Sequence, residues 1–194
     1  MHGLVNKAIE FFVRDTYGDA AWTSVVRRTG VEVSSFEAML SYDDAVTDAL
    51  LVAAAGHLAK PRDAILEDIG IYVVSHPDVT APRRLLRFAG ATFEDFLGSL
   101  EALPDWVRLA LPDLHLPPMR LSTLDDGGVR LVCGSFFDGF GHVIVGLLQA
   151  MADEYGALVT ITHEGRVAEG EAVHIYLHVP HFSEGRSFQL THYA

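Results

Sequence analysis

The apolar residues of this chain change their period near Pro112, and that change limits the fold to a helical part followed by a mixed one. Before it, apolar positions recur every three or four residues, the spacing that builds one face of a helix. Beyond it they alternate in short runs, as in half-buried strands. The spacing therefore predicts an α+β fold with a helical lobe over 1–111. A lobe over 112–194 follows, with a mainly antiparallel sheet and a packed helix. At 194 residues the whole suits a single domain.

Within the helical part, Leu4, Val5, Ala8, Ile9 and Phe12 mark a first amphipathic helix that leaves at Tyr17–Gly18. Trp22, Val25 and Val26 mark a second, ending near Gly30. Ser34 and Glu37 read as the cap of a short helix carrying Phe36, Met39 and Leu40. Ser41 and Asp44 read as a capping box before an alanine-rich helix to about Leu58. Pro61 opens another helix that ends at His76–Pro77, because the residue before proline avoids helical geometry. Pro82–Phe88 is a short helix closed by Gly90. Thr92 and Asp95 then cap a helix whose Phe93, Phe96, Leu97 and Leu100 share a face. Pro104 interrupts it, since a proline inside a helix loses a donor and clashes with the preceding turn. A break at Leu100–Leu103 is expected, with Trp106, Val107 and Leu111 on a second piece.

In the mixed part, Met119–Leu124 and Val129–Ser135 flank the turn signal Asp125-Asp126-Gly127-Gly128 and form a hairpin. His142–Tyr155 is a helix. Leu158–His163 and Ala172–Val179 are strands separated by a glycine-containing turn, HEGRVAEGE, and Phe188 and Leu190 are expected to extend the sheet.

Acidic residues outnumber basic ones, giving a net charge of −12, which argues against nucleic acid and anionic membrane as partners. Arg83, Arg84 and Arg87 form one local basic cluster, read as solvated surface. Polar residues interrupt every apolar stretch before it reaches spanning length, and no secretory leader stands at the start. A cytoplasmic protein is expected. The lone Cys133 excludes an internal disulfide and a cysteine-rich zinc site. It shares a strand face with Val129 and Leu131, as a small hydrophobe would. His174 and His178 are too far apart along a strand for one mononuclear metal site with His181. Ser135, Asp138 and His142 lack the spacing of a nucleophile elbow. GSFFDGFG has neither a phosphate-loop lysine nor a dinucleotide fingerprint. No catalytic residue and no metal site are expected, and the protein reads as a non-enzyme.

Several stretches, in this order, resemble the heme nitric oxide/oxygen-binding (H-NOX, or HNOB) domain family. They are MHGLVNKAIEFFVRDTYG, the alanine-rich segment opening SYDDAVTDAL, LLRFAGATFEDFLGSLEAL, LPDLHLPPMRL and GFGHVIVGLLQAMA. The resemblance covers the chain from Met1 to about Val179. It implies a heme pocket enclosed by a helical lobe and an α/β lobe, and a role in signalling to a histidine kinase or a cyclic-dinucleotide enzyme. Residue by residue, the site departs from the family. The leucine–histidine pair that ligates iron is matched by Leu103–Pro104, and proline has no imidazole. The tyrosine-x-serine-x-arginine motif that holds the heme propionates is matched by Cys133-Gly134-Ser135-Phe136-Phe137, where only Ser135 agrees. Phe137 cannot supply an arginine's charged fork. Pro117 and Val5 match apolar pocket positions. The expectation is a remodelled pocket around Val5, Pro104, Pro117, Cys133, Ser135 and Phe137. No cofactor, or an apolar small molecule, would replace the heme. The alternative is a heme-based nitric oxide or gas sensor with a non-standard axial ligand, His115 or Cys133.

Overall fold

The computed structural model describes residues 1–77, 80–88 and 90–186. The expected extension by Phe188 and Leu190 lies outside the described residues. The chain divides into two compact units, Met1–Ile69 and Gly70–Ala194.

In the first unit, α1 (Gly3–Tyr17), α2 (Asp19–Thr29) and α3 (Asp44–Leu58) pack together, and α4 (Arg62–Ser75) begins. Gly18 ends α1 at φ 87° and Gly30 ends α2 at φ 69°, a region glycine enters without a Cβ penalty. Ile9, Phe12, Val13, Trp22, Leu50 and Leu51 are among its buried side chains. The helix expected after Ser34 does not form. Instead the buried Glu10 carboxylate accepts from the Phe36 N–H at 2.9 Å and from the Ser35 hydroxyl, and Phe36 packs edge-on against Trp22 and Tyr42. A tertiary acceptor takes the donor, and Met39 and Leu40 stay exposed. The cap of α3 is Asp43, which accepts from Ala45, rather than Ser41, which bridges to His2.

In the second unit, α5 (Thr80–Arg87) and α6 (Phe93–Ser99) lead to a 3₁₀ turn over Leu100–Ala102 and then α7 (Leu103–Ala110). The capping box of Thr92 and Asp95 is complete. Pro104 lies in the first turn of α7, where its missing N–H would have had no helical partner in any case. The expected break is therefore a tightened turn followed by a new helix start.

The sheet runs β1 (Met119–Thr123), β2 (Val129–Cys133), β4 (Gly170–Val179), β3 (Leu158–Val167), antiparallel throughout. The strands β3 and β4 are longer than the sequence suggests. Gly165, at φ 91°, sits at a register shift inside β3 rather than in the connecting turn. The helix α8 (Phe140–Tyr155) packs with the sheet around Leu131, Leu148, Met151, Val173 and Ile175. After β4 the chain returns to the end of α8: Phe182 and Ser183 donate to the Gly156 carbonyl and Arg186 donates to that of Glu154. The buried Glu154 carboxylate accepts from Arg83 at 2.7 Å and from Arg186 at 3.1 Å, while Arg87 lies over the Tyr155 ring. The basic cluster of α5 is thus partly committed to α8, not wholly solvated as expected.

Candidate functional site

The residues singled out in the second unit gather where β1 begins and β2 ends. Register pairs Met119 with Cys133, and the Gly134 N–H donates to the Pro118 carbonyl at 2.8 Å. Pro117 is buried, and a Cβ on Gly134 would meet its ring at 3.3 Å. The two segments approach closely because residue 134 carries no side chain. Cys133 has 0% exposure. Burial, and secondarily the charge of Glu171, push its thiol up to about 12. An apolar surround disfavours the thiolate.

Ser135 is exposed. Phe137 turns toward the core and joins Phe136 and Phe140 in a three-ring cluster with centroids 5.1 to 5.5 Å apart, two of the three contacts edge-on. Such edge-to-face pairs suit the ring quadrupoles. His115 is exposed, with Nδ1 3.1 Å from the Asp113 carbonyl. Pro104 is half-buried beside the buried Leu103. Val5 lies half-buried on α1 in the first unit.

One group essential to this geometry was not anticipated. Glu171, nearly buried on β4, accepts from the N–H groups of Gly139 at 2.8 Å and Gly141 at 2.9 Å. Its Oε2 also accepts from His163 Nε2 at 2.9 Å, and the His163 ring lies 4.0 Å from that of His142. A carboxylate at a helix start satisfies donors that the helix itself leaves free. Glu171 thereby fixes the GSFFDGFG connection onto α8, assisted by an ion pair between Arg166 and Asp138. No signal in the sequence marks it, because the strand read from Ala172 starts one residue past it, whereas β4 begins at Gly170 and pairs Glu171 with Cys133.

On the outer face of the sheet, His178 bonds Thr160 and His174 approaches Asp126 at 3.7 Å. Among the described residues, no three His, Cys, Asp or Glu side chains are arranged to hold a metal ion. No described helix is long and apolar enough to cross a membrane.

The sequence model described as "HNOB: Haem-NO-binding" matches residues 2–163. The chain belongs to that family. It is 25% identical to the soluble guanylate cyclase gcy-31 of Caenorhabditis elegans over 154 residues, 79% of this chain and 22% of that protein. It is 22% identical to soluble guanylate cyclase 89Db of Drosophila melanogaster over 158 residues, 81% of this chain and 24% of the relative. The chain thus matches only about a quarter of each relative's length. Among solved structures, an H-NOX protein from S. oneidensis in the Fe(II)NO ligation state superposes with a TM-score of 0.75 at 16% identity, covering 92% of this chain and 99% of that one. An H-NOX mutant from K. algicida, in the Fe(II) unliganded state, gives 0.74 at 18% identity, covering 92% and 96%. The α+β architecture is that of the family.

Proposed function

We propose that this chain is a single, non-catalytic H-NOX-type sensory or regulatory domain that has given up histidine-ligated heme. It acts through an apolar ligand or through contact with a partner protein. The observation that carries this reading is Pro104. It stands where the family resemblance puts the ligating histidine, and no nitrogen lone pair is available from its ring.

The surroundings support the same reading. At the position of the propionate-binding arginine, Phe137 is built into an aromatic cluster that a guanidinium could not join without losing its solvation. Cys133 is fully buried and its thiol is pushed up to about 12, so ionising it for iron ligation costs more than ionising an exposed thiol. His115 faces solvent. The residues present do not fit a conventional heme. The alternative, heme held by His115 or Cys133, requires a buried thiol to ionise or an exposed ring to turn inward. The named relatives are guanylate cyclases. A cyclase-type enzyme therefore joins the histidine kinase and the cyclic-dinucleotide enzyme as candidate partners, at a cytoplasmic location.

The test restores what is missing. Wild-type protein and the double variant Pro104→His, Phe137→Arg are produced with abundant heme and their heme content is measured. The reading expects little uptake by the wild type and a clear gain in the variant. Equal, stoichiometric heme in both would overturn it.

A further inference from the structure

The inner face of the sheet is left partly uncovered at the end nearest the β1–β2 turn. Between that end and α6 runs a half-open groove of about 340 Å³, within the roughly 300–1,000 Å³ range of small-molecule sites. Its apolar lining is Leu97 from α6, Leu121 from β1, Val129 from β2, and Ile175 and Leu177 from β4. Three of these, Leu121, Val129 and Leu177, remain half-buried, so apolar area is still available to be covered.

Two features of α6 define what can enter. Gly98 borders the groove, and a Cβ placed there would meet nothing within 4 Å, so the helix leaves the mouth open. Four residues earlier, on the same side of the helix, the exposed Glu94 also borders it. No cation pairs with Glu94 among the described residues. An uncompensated carboxylate beside an apolar floor, in a chain of net charge −12, complements an apolar body carrying a positive group.

We propose that this groove binds a small organic ammonium compound, with its hydrocarbon part on the Leu97–Leu177 floor and its charge beside Glu94. The site lies along α6, away from the Pro117–Cys133 junction. It touches Leu121, whose N–H donates to Glu101 of the 3₁₀ turn at 2.8 Å. A ligand wedged there bears on the clasp between the sheet and the α6–α7 break. The proposal supplies a ligand class for the apolar-ligand response put forward above and rests on that reading for its purpose. Its binding test involves no heme, so the two fail separately.

The probes are para-tert-butylbenzylamine and para-tert-butylbenzoate, titrated into the full chain with methyl-labelled leucine, isoleucine and valine and followed by NMR. The amine should give saturable shifts at Leu97, Leu121, Val129, Ile175 and Leu177, and the benzoate should bind about tenfold more weakly. Glu94→Gln should remove most of that preference. Gly98→Leu, a substitution that favours the helix, should fill the mouth and abolish the shifts while the remaining spectrum is unchanged. Absence of saturable shifts would overturn the proposal. So would shifts that persist in Gly98→Leu, or a benzoate that binds as well as the amine.

Discussion

At Cys133 burial chiefly sets the chemistry of a single side chain. Its thiol is raised from an ordinary 9.0 to about 12 because burial removes the water that a thiolate needs, and Glu171 adds negative charge nearby. The native state therefore keeps a proton that the unfolded chain releases at lower pH. Stability from this group is complete below about pH 9 and is lost as pH rises toward 12. At pH 8 the thiol should react with an aromatic disulfide reagent far more slowly in native protein than in urea. Comparable rates would contradict a neutral, enclosed Cys133. Its burial was legible in the sequence, because Val129, Leu131 and Cys133 fall on one strand face. Phe137's commitment to a ring cluster was not, since it depends on Phe140 being held at the start of α8.

At the scale of elements, α8 depends on a residue contributed from elsewhere in the chain. The carboxylate of Glu171 reaches Gly139 and Gly141 from β4, and a Cβ on Gly141 would lie 2.7 Å from it. Glu171→Ala would leave two N–H groups without their acceptor in a nearly closed site. The expected loss is about 1–3 kcal/mol for unsatisfied buried donors, read as a lower urea midpoint. An unchanged midpoint would show that water replaces the carboxylate. Helices with strong apolar spacing, such as α1, or with a capping box besides, such as α6, could be read directly from the sequence. The failures arose where distant partners overrode local signals. Glu10 captures the Phe36 N–H and prevents a helix, while the strand neighbours of Gly165 turn an apparent loop signal into an irregularity within β3.

For the whole molecule, the α+β architecture of the family is kept, and the proposed loss of heme lies in a few side chains, Pro104 and Phe137 among them. Fold and function are separable in this way because a site is a few side chains set on a scaffold. Apolar periodicity preserves the helices and the sheet, and Pro104 is accommodated because a helix begins there. The proposed function turns on the loss of histidine-ligated heme. The visible spectrum of wild-type protein made with abundant heme, recorded under reducing conditions before and after nitric oxide, tests it most directly. Loss of the ligand should leave no stoichiometric heme band and no shift with nitric oxide. A strong Soret band that moves on adding the gas would contradict it.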